Sequence, residues 1–366
     1  MSMQNMKQIS GQQFAALVFH FTIGSSILLI PSALADAARQ DAWIAALIAV
    51  AGGLIMVCVY NVLGGRYPDF HLAEYSERIL GKWLGKTVSV LFFSFSLLIS
   101  ALVLRNLGDF ITTEMMPETP LEAIHVFMLL VVVMAVNLGL ETMGRAAEIF
   151  FFLVTGVFIL TVTLILPHAS IEYIQPILGE GFKPAIRGSI TFIGIPFLEL
   201  ILLLMIFPYV NSTKAAKKGF LIGTSLAGFW LSLATLVSVL GLSATITELM
   251  VYPTYYVAKK INVADFVHRV EAELAILWFV SIFVKVSICF YAAVHMFSQI
   301  FNLKTYRPFT VPLALVVFVL SLIAFPNFAY HRELLRVWPF YAATIGLVLP
   351  LILLIGALFR KKSPRT

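Results

Sequence analysis

The sequence predicts an all-α polytopic membrane protein with about ten spanning helices, and three observations carry that prediction. The 366 residues are 60% hydrophobic and only 12% charged, and the mean hydropathy of +0.95 is far above what a water-soluble core can hide. The apolar residues come in stretches of about 20 or more, long enough to cross a hydrocarbon layer roughly 30 Å thick as helix. These stretches are unbroken, whereas a lipid-embedded barrel would show short segments of alternating polarity.

Taken in order between charge and proline punctuation, the apolar runs place spans over residues 12–35, 42–63, 87–112, 121–140 and 144–166, then 188–210, 219–242, 272–301, 309–325 and 337–359. The expected organisation is one membrane domain over 1–366, with a first five-helix repeat in 1–167 and a second in 188–366. The opening MSMQNMKQIS lacks a cleavable signal pattern, so the first span is expected to stay in place.

The net charge of +6 is spread over short loops rather than gathered in a patch, which argues against nucleic acid as a partner and for topology signals in a lipid bilayer. If the N-terminus is cytoplasmic, the inside segments collect 15 of the 25 basic residues, including Lys7, Arg66, Lys82, Lys86, Lys214, Lys217, Lys218 and the C-terminal Arg360, Lys361, Lys362 and Arg365. Both termini are therefore expected in the cytoplasm. Cys58 and Cys289 each lie inside an apolar run, so neither a disulfide framework nor a zinc site is expected.

Between the second and third spans, residues 64–86 carry Leu72, Tyr75, Ile79, Leu80 and Trp83 at helical spacing with charges between them, the pattern of a helix lying on the membrane surface. Two longer segments, 167–187 and 243–271, are expected to cap the opposite face.

Two spans contain glycine close to serine or proline near their middle. The first reads Phe21-Thr22-Ile23-Gly24-Ser25-Ser26 with Pro31 following, and the sixth reads Thr191-Phe192-Ile193-Gly194-Ile195-Pro196. Backbone freed from helical hydrogen bonds has no water to turn to inside a bilayer, so such breaks are tolerated where they line a cavity. Small residues also permit close helix packing, but Gly24 and Gly194 sit about 170 residues apart, each in the opening helix of a five-helix half. Five is odd, so the halves cross in opposite senses, as an inverted repeat does. Half-helices starting near Ser26 and Phe197 would offer free N–H groups, and those ending near Thr22 and Ile193 free carbonyls. That pairing suits a zwitterion such as an amino acid, with its carboxylate on the N–H groups and its ammonium on the carbonyls.

Glu199 and Lys285 lie deep in the sixth and eighth spans, where an ionised side chain needs a partner or a role. Glu199 could meet a ligand ammonium or carry a proton, and Lys285 could stand in for a bound cation between the first and eighth helices; pairing with other helices is the alternative for both. On the eighth helix, Ser287, Tyr291 and His295 form one stripe and Ser281, Lys285 and Cys289 another, and the Ser287–Tyr291 stripe is taken for ligand contact. Phe93, Leu97 and Ala101 share a face of the third span and offer an apolar wall. The expected ligand-binding set is thus Gly24, Ser25, Ser26, Phe93, Leu97, Ala101, Phe192, Gly194, Ile195, Pro196, Glu199, Ser287 and Tyr291, with Lys285 as the candidate for ion or proton coupling. Arg145 and Glu148 read as a structural pair at a helix end. There is no Gly-rich phosphate loop, HExxH or CxxC, so no catalytic residue, metal or cofactor is expected and the chain is not read as an enzyme.

Three stretches carry a family resemblance: QISGQQFAALVFHFTIGSSILLIPSALADAARQDAWIAALIA at the start, YPDFHLAEYSERILGKWLGK with Pro68, Gly81, Lys82 and Gly85, and IFPYVN at the end of the sixth span. The chain resembles the endospore germination permease family, the integral membrane B-subunits of spore nutrient germinant receptors, over essentially its whole length. That resemblance implies the five-plus-five fold of the amino acid, polyamine and organocation transporter superfamily, with unwound first and sixth helices at Gly24, Ser25, Ser26, Gly194, Ile195 and Pro196. It further implies sensing of a small germinant such as an amino acid in the spore inner membrane, beside an A-subunit and a lipoprotein C-subunit. An amino acid permease completing secondary transport and a purely structural membrane scaffold are the competing readings.

Overall fold

A computed structural model describes residues 9–260, 270–323 and 328–359. The basic termini Lys7, Arg360, Lys361, Lys362 and Arg365, part of the expected outer cap (261–269) and the last residues of the ninth run lie outside the described residues. Each of the ten predicted runs falls on helix.

The first span is two helices, α1 (Gly11–Ile23) and α2 (Ser26–Ala38). Helix α1 starts on a reciprocal cap: the Ser10 hydroxyl accepts from the Gln13 N–H at 3.1 Å and the Ser10 N–H donates to Gln13 Oε1 at 2.9 Å. It stops at Gly24, whose φ of +21° and ψ of −124° leave the helical region that side chains favour. Inside α2, Pro31 has no N–H to give the carbonyl of Ile27 one turn earlier. The Thr254 hydroxyl supplies that bond instead, donating to Ile27 O at 3.1 Å.

The second span is α3 (Ala42–Arg66). The predicted surface helix is α4 (Leu72–Leu80), opened by a His71–Glu74 capping box and closed at Gly81, which has φ +86°. Leu72, Tyr75 and Ile79 are buried against the bundle and Leu80 partly so, whereas Trp83 stands 86% exposed. Trp83 therefore leaves the predicted stripe, because Gly81 turns the chain and Trp83 belongs to the next helix, α5 (Lys82–Phe110). Helices α6 (Leu121–Leu138) and α7 (Leu140–Ile165) complete the first five crossings. On α7, Arg145 pairs with Glu141 at 2.6 Å rather than with Glu148, since i and i+4 side chains face each other on a helix.

The sixth span opens as α8 (Phe182–Phe192), runs through a wide turn at Ile193–Phe197 in which Ile195 is non-helical (φ −131°, ψ 108°), and continues as a 3-10 helix over Glu199–Met205. The break falls at the expected place, but the half-helix after Phe197 is the tighter 3-10 form rather than α. Then follow α9 (Thr213–Leu242), the short helices α10 (Ala244–Leu249) and α11 (Pro253–Lys259) on one face, α12 (Val270–Ile300), α13 (Thr310–Ile323), and a tenth crossing built from α14 (Phe328–Ala343) and α15 (Leu349–Phe359). Eight helices among the described residues are long and apolar enough to cross a membrane.

The two broken spans form the centre. Helix α1 packs on α7, α9 and α12, and every residue from Glu199 to Met205 is buried. The Ile9 N–H donates to Tyr209 O at 3.3 Å and the Asn211 N–H to Ile9 O at 2.9 Å, so the start of the first span meets the end of the sixth. The two spans therefore run in opposite senses, as an inverted pair must. Around them, α6, α7, α13 and α15 turn apolar side chains outward, among them Phe127 (70% exposed), Phe152 (71%) and Leu315 (61%), the arrangement a lipid solvent favours.

Candidate functional site

The site begins at Gly24. A Cβ added there would lie 2.5 Å from Cδ of Lys285, so the break in the first span is also what lets the lysine stem pass along it. Lys285 comes from the middle of α12 and is fully buried; its Nζ reaches Oε2 of Glu199 at 2.8 Å, and Glu199 is 3% exposed just after the break in the sixth span. The other carboxylate oxygen, Oε1, accepts from Trp338 Nε1 at 2.9 Å. Trp338 is held by stacking on Phe95, with ring centroids 5.7 Å apart and planes 13° from parallel. The lysine ammonium also lies 5.2 Å from the centre of the Phe21 ring.

Charges this deep persist only when paired, because the desolvation of each ion is large. Here the pairing is incomplete in direction: the ion-pair contact is short, yet neither Lys285 Nζ nor Glu199 Oε2 makes an aligned hydrogen bond. The buried Asn106 Oδ1 and the Ser26 hydroxyl likewise lack a protein partner. Buried polar atoms of this kind call for water or a ligand.

These groups surround a cavity of about 40 Å³ lined by Ser25, Leu29, Ile99, Leu102, Val103, Asn106, Ile195, Glu199, Lys285, Leu334 and Trp338. Its walls come from both breaks, the third span, α12 and α14. Of the predicted residues, Ser25, Ile195, Glu199 and Lys285 meet here, with Gly24 against the lysine and Ser26 following Ser25 in sequence. Gly194 serves the break differently: an added Cβ would lie 2.7 Å from the Cα of Pro339, so this glycine seats α14 against the sixth span. Phe192 and Pro196 are buried beside the turn, with the Phe192 ring on Phe197 at 5.1 Å.

Other expected residues lie elsewhere. The third span presents Ile99, Leu102, Val103 and Asn106 to the cavity; Leu97 and Ala101 are buried on other contacts, and Phe93 packs on Phe297 at 5.7 Å. On α12 it is the Ser281–Lys285–Cys289 stripe that faces the broken spans and the third span: Ser281 Oγ lies 3.1 Å from His20 Nδ1, and Ser96 donates to the Cys289 carbonyl at 2.7 Å. The Tyr291 ring lies 4.1 Å from that of His295, tilted by 38°, and Ser287 is buried with its hydroxyl unpartnered, neither lining the cavity. Leu334 and Trp338 had no place in the sequence expectation; an indole N–H, which needs an acceptor when buried, is the one signal that could have marked Trp338, and Leu334 carries none.

Two antiparallel discontinuous spans framing a small charged pocket define a membrane protein of the transporter-like inverted-repeat class. Solved structures agree on the fold. A nucleobase-cation-symport-1 family transporter, in a closed conformation with bromovinylhydantoin bound, superposes with a TM-score of 0.73 over 96% of this chain and 78% of its own, at 13% identity. MhsT in complex with L-phenylalanine gives 0.66 over 95% and 97%, at 12% identity. Within that class, the chain belongs to the spore germination protein family, whose pattern matches residues 8–328. Spore germination protein KB of Bacillus subtilis (strain 168) is 30% identical over 363 residues, covering 97% of this chain and 96% of that protein. The family resemblance read from the sequence therefore holds.

Proposed function

We propose that this chain is the membrane subunit of a spore germinant receptor, binding a small nutrient at the cavity between the broken spans and passing the change to an A-subunit and a lipoprotein C-subunit. The nutrient is an amino acid, the membrane is the spore inner membrane, and both termini face the cytoplasm. The role is recognition, with no chemical step.

The observation that supports it is the ion pair with unused hydrogen-bonding directions. An amino acid carries one ammonium and one carboxylate, the complement of Glu199 and Lys285. Inserting it would exchange one internal pair for two ligand pairs, so the charges stay compensated throughout. The N–H groups at the start of α2 add a second anchor for the carboxylate. A cavity of about 40 Å³ has room for little more than water, so occupancy requires Leu334 and Trp338 to move. Binding is thereby tied to a shift of α14 against the sixth span, and a ligand that favours the shifted state by a few kcal/mol changes the population.

The test is ligand-dependent thermal stabilisation of the purified protein with a panel of amino acids and sugars. Amino acids should raise the midpoint and sugars should not; a preference for sugars overturns the zwitterion reading. The fold also favours a second reading, an amino acid permease. Labelled amino acid accumulating inside proteoliposomes would select it, whereas a sensor binds without net uptake.

A further inference from the structure

A second cavity, of about 500 Å³, shares three of the elements that wall the central one: the first span, the sixth span and α14. The first span gives Ser25 and Leu29 to the centre and Ser32 and Asp36 to this chamber; the sixth span gives Ile195 and Glu199 to the centre and Arg187 and Thr191 to the chamber. Helix α14 gives Leu334 and Trp338 to one and Arg336 and Pro339 to the other. The two cavities thus follow one another along the first span, the sixth span and α14, where Gly194 lies against Pro339.

The chamber holds two cations, Arg187 and Arg336, and two acids, Asp36 and Glu248. Glu248 Oε2 stands 4.0 Å from Arg39 Nη1, the outer limit of an ion pair. Asp36, Arg187 and Arg336 have no ion pair among the described residues. Arginines at the end of a span ordinarily reach for lipid phosphate, but acids sharing the wall disfavour a phosphate and favour a ligand carrying both signs. A guanidinium presents a planar fork suited to a carboxylate. The volume lies within the range of small-molecule sites, roughly 300–1,000 Å³, which the central cavity does not approach.

We infer that this chamber is an outer capture subsite for a zwitterionic amino acid, with the ligand carboxylate on Arg187 and Arg336 and its ammonium toward Asp36 and Glu248. This deepens the proposed function and rests on it for the ligand class. The ligand is held here while Trp338 is still seated on Glu199, and it passes inward when α14 moves.

The experiment places a thiol on the chamber wall with Thr191→Cys in a Cys58→Ala background and follows its modification by a small neutral methanethiosulfonate in detergent. L-alanine at ten times its half-protecting concentration should slow modification about tenfold, by simple occupancy. Adding Arg187→Gln and Arg336→Gln should abolish protection, and adding Glu199→Gln should leave it. Protection that survives the double arginine change, or that vanishes with Glu199→Gln in a monodisperse sample, overturns the subsite. So does the failure of glycine, L-alanine and L-phenylalanine alike to protect. Trp338 emission in the same samples separates the two readings: protection without an emission change supports the chamber and sinks the midplane site, and an emission change without protection does the reverse.

Discussion

Lys285 Nζ and Glu199 Oε2 stand 2.8 Å apart at the centre of the bundle, joining the eighth span to the break in the sixth. The lysine can reach that point because Gly24 leaves its stem a path past the first span. One contact therefore couples three elements, and the first prediction follows from it.

Removing either partner leaves an uncompensated buried charge. Lys285→Met or Glu199→Gln should destabilise the protein, by about 3–5 kcal/mol for a fully stranded charge. The double variant Lys285→Met with Glu199→Gln, in which the amide oxygen can still accept from Trp338, should recover most of that loss. Thermal unfolding in detergent reads it; additive losses in the double variant would show that the two groups do not act as a pair.

Gly24→Ala puts a Cβ 2.5 Å from Lys285 Cδ on backbone with positive φ. The lysine must move, and the ligand response should be lost while membrane insertion is retained. Spores carrying the variant, scored for germination and for protein level in the membrane fraction, check this. Normal germination would remove Gly24 from the site.

The carbonyl of Ile27, left without its helical donor by Pro31, is served by the Thr254 hydroxyl. Thr254→Val should cost about 1–3 kcal/mol, the penalty for a stranded buried acceptor. Pro31→Ala restores a backbone donor and should shrink that cost. An equal cost in both backgrounds would deny the compensation.

His71, at the start of the surface helix α4, has its pKa lowered below 6.5 by burial, with Glu74 opposing the shift. The docked helix thus binds a proton less readily than the undocked one, so docking is undisturbed above pH 6.5 and weakens as pH falls below it. Protection factors over residues 72–80, which remove the intrinsic pH dependence of amide exchange, should fall between pH 7 and pH 5, and His71→Asn, which keeps the cap, should flatten the dependence. An unchanged slope in the variant would assign the effect to another group.

Much of this architecture was legible in the sequence. The ten runs and both breaks were visible because lipid leaves backbone no partner but itself, so Gly24 and Gly194 close to Ser and Pro stand out. The rotation of each helix about its axis was not visible. Periodicity groups Phe93 with Leu97 and Ser287 with Tyr291, but when all faces of a span are apolar it cannot say which face looks inward. The third span consequently turns Leu102 and Asn106 to the cavity, and α12 turns Lys285. Trp338 was hidden for another reason: its role depends on a contact with Glu199 across 139 positions of chain.

The central claim is that an amino acid exchanges places with the Glu199–Lys285 pair. Its most direct test is isothermal titration of the purified protein with the amino acid that most raises its thermal midpoint, comparing the unaltered chain with Glu199→Gln, and with Trp338 emission followed against a Trp338→Phe control. The account predicts that Glu199→Gln weakens the binding event that changes Trp338 emission by at least tenfold, about 1.4 kcal/mol. Unchanged affinity in Glu199→Gln, with the ligand still perturbing Trp338, would contradict it.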